Sequence, residues 1–196
     1  NGGFTDGIQC NEDDDQIAAN DILVPADTNL TLNSIMANMV IEEGETITSA
    51  TIWIFEDEYG YPYMYPGYEV TSQVVTPASH TLVSSGSGMD FYEVVWDLSP
   101  ILLEGQSDYA TRYWIGISAT TTDGSTPYWE VTSNDMIGQP AAYSTGSWFD
   151  MYNTSRDGTY IFYADCEPID SGGGGTTDCG ATIANGGFTD GIQCNE

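Results

Sequence analysis

The stretch "DFYEVVWDL", Asp90 to Leu98, alternates apolar and polar residues with a period of two. That rhythm is the feature that most narrows the fold. Successive side chains of a strand leave on opposite faces. Tyr92, Val94, Trp96 and Leu98 therefore share one face, and Phe91, Glu93, Val95 and Asp97 the other. In "SATIWIFED", Ala50, Ile52 and Ile54 oppose Thr51, Trp53 and Phe55. The pattern returns in "RYWIGISAT" from Arg112, "PYWEVTS" from Pro127 and "GTYIFYADC" up to Cys166. "NDILVPA" and "LTLNSIMANMVIE" read as two earlier strands, and "QVVTPASHTLV" and "AAYSTGSWFDM" as shorter ones. β-Branched and aromatic residues dominate these runs, and Gly, Pro, Asp and Ser break them. No stretch carries a helical period. About eight or nine strands over about 145 residues predict an all-β fold, a two-sheet antiparallel sandwich of jelly-roll type.

A second feature bears on organisation. "NGGFTDGIQCNE" stands at Asn1–Glu12 and again at Asn185–Glu196, an offset of 184 residues. Such a period is far longer than that of solenoids or propellers, so each repeat is a whole domain. A tandem array, a subunit with matched termini and an engineered scar all account for it, and the array is the expectation adopted here. The predicted boundaries are a join segment over 1–20, a sandwich over 21–166, a Gly-rich linker over 167–178 and a second join segment over 179–196. The linker, "EPIDSGGGGTTD", would span roughly 17–20 Å as a flexible coil. Phe4 and Ile8 in the first copy, and Ile183, Phe188 and Ile192 near the second, are apolar residues in polar, Gly-rich surroundings. They are the expected anchors of the join, as a stapled loop rather than a donated strand.

Charge excludes several partners. Thirty acidic residues stand against two arginines, Arg112 and Arg156, with no lysine, for a net charge of −28. Without Asp190 and Glu196 of the second copy, one period carries −26. Nucleic acid and anionic membrane need a basic surface. No run of about 20 apolar residues spans a bilayer. Like charge also makes copies repel, so an assembly of them needs covalent, disulfide, apolar or divalent-cation links. The four cysteines, Cys10, Cys166, Cys179 and Cys194, lie near the two ends with no CxxC spacing. Structural disulfides in an oxidising, extracellular setting are expected. Cys10–Cys166 with Cys179–Cys194 is one scheme for a single chain. A true array has three cysteines per period, so one thiol stays free or one bridge links chains.

Six stretches belong together: "NGGFTDGIQC", "QIAANDILVP", "TIWIFEDEYGYPYMYPG", "FYEVVWDLSPILLEG", "YWIGISATTTDGSTPYWE" and "DGTYIFYADC". On these the chain resembles a β-sandwich module of large secreted bacterial surface proteins, of the kind carried as cargo of the type IX secretion route. The resemblance covers roughly residues 1 to 166 and implies a sandwich fold with no catalytic set. The repeated ends are similar in organisation to subunits of extracellular fibres.

Candidate chemistry is sparse. His80, in "TPASHTLV", is the sole histidine and reads as a surface strand or turn residue. GxSxG, Walker and HExxH motifs are absent from the sequence. Carboxylates are too numerous for any pair to single out a glycosidase, so no enzyme activity is expected. Tyr59, Tyr61, Tyr63, Tyr65 and Tyr68 alternate with Gly, Pro and Met, in a loop or edge segment suited to an interface or to stacking on sugars. Calcium candidates are Asp13, Asp14 and Asp15 beside Glu12, and Glu56, Asp57 and Glu58, though neither run has EF-hand spacing. "TTDGS" and "SRDGT" are Asp-Gly turns. Asn29 and Asn153 head glycosylation sequons, and Thr176 and Thr177 are candidate O-linked positions. No cofactor is required. The expected function is a structural repeat joined head to tail to copies of itself in an extracellular filament or cell-surface stalk. The alternative is a carbohydrate-binding or adhesive module.

Overall fold

Alternation is realised as fifteen strands among the described residues. The computed structural model describes residues 6–59, 64–132, 138–144, 151–169, 179–184 and 193–194, with side chains over 6–57, 67–132, 138–144 and 154–169. In chain order the strands are β1 (Gly7–Gln9), β2 (Ala18–Val24), β3 (Thr28–Glu42), β4 (Ile47–Tyr59), β5 (Met64–Val75), β6 (Ser79–Gly86), β7 (Met89–Leu103) and β8 (Thr111–Thr121). There follow β9 (Tyr128–Thr132), β10 (Ala142–Ser144), β11 (Met151–Asn153), β12 (Asp157–Gly158), β13 (Tyr160–Pro168), β14 (Cys179–Ala184) and β15 (Gln193–Cys194). The described residues hold no α-helix; one 3₁₀ turn spans Glu12–Asp14.

Two antiparallel sheets pack as a sandwich. The first runs β1-β9-β3-β13-β14-β15, with β12 on β9, β7 on β3 and β6 on β7. The second runs β11-β10-β2-β8-β4-β5. The long β3 organises the first sheet. One of its edges takes β7 along most of its length. The other takes β13 over Thr28–Ala37 and β9 at Met39–Val40.

The core follows the predicted faces. Val94, Trp96 and Leu98 of β7 meet Ala50, Ile52 and Ile54 of β4, all buried in one cluster. Trp129, Tyr160 and Phe162 fill its middle: the Tyr160 and Phe162 rings stack at 4.1 Å, and Trp129 meets Tyr160 edge-on. A buried aromatic N–H needs a partner, and Trp129 Nε1 donates to Thr159 O at 3.0 Å.

The opposite face of β4 and β8 is buried as well. Phe55 and Trp114 form a second cluster with Ile17, Ala19 and Ala142. Gly116 of β8 lies beneath Ile17 and Phe55, and a Cβ there would come within 2.9 Å of both. The chain just after the first repeat copy thus closes over the second sheet.

Candidate inter-unit join

The first repeat copy is built into the sandwich, and its description starts at Asp6. Strand β1 pairs with β9, with Gly7, Ile8 and Gln9 opposite Glu130, Trp129 and Tyr128. Asp6 O accepts from Val131 N–H at 3.3 Å, and Cys10 N–H donates to Pro127 O at 3.1 Å. The segment then changes sheets. Cys10 O accepts from Ala119 N–H of β8 at 2.7 Å, and Asn11 forms an isolated parallel bridge with Ala119. Six residues therefore tie both layers together. Ile8 is 7% exposed, Cys10 0% and Asn11 2%.

Polar groups fix the crossing. Asn11 caps the 3₁₀ turn: its Oδ1 accepts from Asp13 N–H at 3.2 Å, and its Nδ2 donates to Asp14 Oδ2 at 3.0 Å. Thr51 Oγ1 donates to Glu12 Oε1. Gln16 Nε2 donates to Gln9 Oε1 at 3.1 Å. Asp6 is ion-paired with Arg156, one of only two cations in the chain. Beside this pair a cleft of ≈ 460 Å³ is lined by Asp6, Ile8, Val131, Tyr143, Thr154 and Arg156 among others. The Cys10 thiol donates to Pro127 O at 3.6 Å. Burial pushes its pKa up to about 12, against a smaller downward pull from the Trp129 backbone.

The second copy follows the exit of the same sandwich. Strand β14 returns antiparallel on β13, with Cys179 opposite Cys166, Ile183 opposite Phe162 and Ala184 opposite Ile161. Gln193 and Cys194 of β15 pair with Thr182 and Ala181. In both copies the Gln-Cys dipeptide lies antiparallel against a neighbouring strand. Phe4, Phe188 and Ile192 fall outside the described residues, as does the Ile183 side chain. The Gly-rich stretch proves to be flanked by paired strands. Strand β13 continues to Pro168 along β3, and β14 belongs to the same sheet.

The expected bridge between Cys10 and Cys166 is not formed: Cys10 is a buried free thiol. The reason is topological. Cys10 is held at the β9 and β8 side by Pro127 and Ala119. Cys166 lies on β13, between Leu30 of β3 and Cys179 of β14. No disulfide is formed among the described side chains.

Other candidates fall elsewhere. Tyr68 is 80% exposed on the edge strand β5, as is Val74 at 75%; the side chains of Tyr59, Tyr61, Tyr63 and Tyr65 lie outside the described set. Pro66 sits on this same edge, where a missing N–H is tolerated. Asn29 Oδ1 accepts from Gly105 N–H at 2.9 Å, which commits that side chain to the β7–β8 connection. The Asn153 side chain, Thr176 and Thr177 are outside the described set. Among the calcium candidates, Asp13, Asp14, Asp15 and Glu56 are exposed. Asp57 instead accepts from Trp114 Nε1 at 2.8 Å and lies 3.9 Å from Arg112. The Glu58 side chain is not described. No group of three or more His, Cys, Asp or Glu able to hold a metal occurs among the described residues. His80 stacks on Tyr92 at 3.9 Å, and burial lowers its pKa.

One buried polar site escaped sequence reasoning. Arg112 Nε lies 2.8 Å from Asp21 Oδ2, and Gln139 N–H donates to the same oxygen at 3.1 Å. Burial raises the Asp21 carboxyl to about 7, Gln139 and Arg112 pull it down, and Asp157 pushes it up. The sequence clue was the scarcity of arginine: each of the two cations has found a carboxylate partner.

Comparison with known proteins adds no relative: no family model, curated protein or solved structure matches the chain. No helix among the described residues is long and apolar enough to cross a membrane.

Proposed function

We propose that the chain is the repeating unit of an extracellular filament or cell-surface stalk, and that units join head to tail through the duplicated segment. One observation carries this reading. The first copy is an integral strand of a sandwich, with Ile8, Cys10 and Asn11 buried and backbone bonds to both sheets. The second copy repeats every one of those residues as Ile192, Cys194 and Asn195. It therefore carries the chemistry of the same seat, on another sandwich. Strand addition gives affinity through main-chain bonds and specificity through the side chains that fill pockets. In a tandem polypeptide the seat is filled by the chain leaving the previous unit; between separate chains it is filled by exchange.

The reading also meets the charge problem. A unit of −26 resists close approach, and a seated strand makes the link short-ranged and apolar. Glycans at Asn153, Thr176 or Thr177, and calcium at the acidic clusters, are accessory in this scheme. An adhesive role is the second reading, favoured by the exposure of Tyr68, Val70 and Val74 on β5.

Deleting residues 1–12 vacates the seat while leaving the second copy in place. The shortened chain is expected to form oligomers that grow with concentration, measured by light scattering. A synthetic Asn1–Glu12 peptide should cap them. Where the shortened chain refolds poorly, the same peptide should restore folding. A shortened chain that stays monomeric and ignores the peptide overturns the proposal.

A further inference from the structure

The register of β13 and β14 places two cysteines at one rung of the ladder, Cys166 opposite Cys179. Directly opposed residues of an antiparallel pair share a face, with Cα atoms about 4.5–5.5 Å apart. Disulfides form across Cα separations of about 4.4–6.8 Å, so one rung is within bonding reach after a small local adjustment. Cys166 is 1% exposed and belongs to the main core. The pair also settles the odd count. Each period has three cysteines, and Cys10 is a buried free thiol hydrogen-bonded to Pro127 O. Cys194 is the Cys10 of the second copy. Cys166 and Cys179 are then the two that remain.

We infer that Cys166 and Cys179 form a cross-strand disulfide that clamps the exit strand β14 onto its own sandwich. The oxidant is a small-molecule or protein disulfide. A thiolate of one cysteine attacks it and expels the first thiol. The second cysteine then attacks the mixed disulfide and expels another thiol. The protein loses two hydrogens and two electrons, and the oxidant becomes two thiols.

The clamp has a mechanical consequence. Strand β14 leads into the second copy, whose β15 pairs back on it, so tension along an array strips β15 and then reaches β14. With β15 removed β14 becomes the edge, and load opens its hydrogen bonds one at a time. Strand β13 stays bonded through Pro168, and Ile169 N–H donates to Asp27 O, so once β14 peels the nine residues 170–178 would pay out roughly 30 Å at full extension. A bond at Cys166–Cys179 stops the opening at that rung and passes the load into β13, which is bonded along β3.

The bond itself does not depend on the head-to-tail reading, and linkage mapping tests it on the full chain alone. The reduced, unfolded protein is refolded in a glutathione redox buffer. Remaining thiols are alkylated in denaturant, and the chain is cut after acidic residues. Glu167, Asp170 and Asp178 separate the two cysteines. The expected product links the Cys166 peptide to the Cys179 peptide, lowers the intact mass by about 2 Da and leaves Cys10 alkylated. A Cys179–Cys194 link, any bridge to Cys10, or four thiols after oxidative refolding overturns it. Single-molecule extension adds a second reading: reduction, or C166S with C179S, should lengthen the first yielding step by roughly 30 Å. An unchanged step refutes the clamp.

Discussion

Replacing Ile8 and Ile192 by alanine makes the same chemical change at two positions identical in sequence, and the two variants are expected to fail differently. Ile8 is 7% exposed and belongs to the main core cluster. Removing its outer carbons costs the transfer energy and leaves a cavity between β9 and the second sheet, about 2–5 kcal/mol for Ile→Ala. Against a total stability of about 5–15 kcal/mol for a domain, that is a large fraction. Urea unfolding followed by tryptophan fluorescence reads it directly, because Trp129 lies opposite Ile8 in register. Ile192→Ala should leave the isolated chain within about 0.5 kcal/mol of wild type. Its cost appears at the join, where the same 2–5 kcal/mol weakens association by about 30-fold to a few thousand-fold. Light scattering against concentration measures that. The reasoning is refuted if Ile8→Ala shifts stability by less than about 0.5 kcal/mol, or if Ile192→Ala weakens the fold while leaving assembly intact.

Three further outcomes follow from the described geometry. Because the Asp21 carboxyl is raised to about 7 by burial, the folded state holds a proton that the unfolded state has released. Stability from this group is therefore full below about pH 4 and is lost as pH rises to about 7, by up to about 4 kcal/mol. Asp21→Asn should flatten that slope in unfolding curves taken across the range, whereas a wild-type stability that climbs through it would show that Arg112 pairing outweighs burial. The Cys10 thiol, 0% exposed with a pKa of about 12, should resist an alkylating reagent at pH 8 until the fold opens, and rapid labelling in the native state would mean that β1 leaves its seat readily. Chelator should soften assembled material without releasing units, as judged by sedimentation; complete release with disulfides intact would make a divalent cation the main link.

Much of the sandwich was legible because burial on a sheet is periodic. Val94, Trp96 and Leu98 went to the core as their spacing required. Thr51 and Phe55 were predicted on the other face of β4, yet both are buried. The cause is the segment around Ile17, which closes over that face and comes from far away in sequence. Alternation reports which face a residue shares, not how many faces are covered. "AAYSTGSWFDM" read as one strand, and its described parts belong to two: Ala142–Ser144 is β10, and Met151 opens β11, which pairs antiparallel with β10. The join was legible as a repeat but not as a seat. The twelve residues hold three apolar ones, Phe4, Ile8 and Cys10, and the burial of Ile8 and Cys10 depends on Trp129, Pro127 and Ala119, more than a hundred positions away. The facing of Cys166 and Cys179 required the register of β13 and β14, which cysteine spacing cannot supply.

Electron cryo-microscopy of the assembled material would show where the second copy of the segment is seated. The account predicts a filament with one sandwich per axial repeat, in which Asp190–Asn195 leaving one unit lie on β9 of the next. There Ile192 would stand opposite Trp129, and Cys194 O would accept from Ala119 N–H. Dispersed single sandwiches, or filaments whose units meet through another surface while the second copy stays on its own β14, would contradict it.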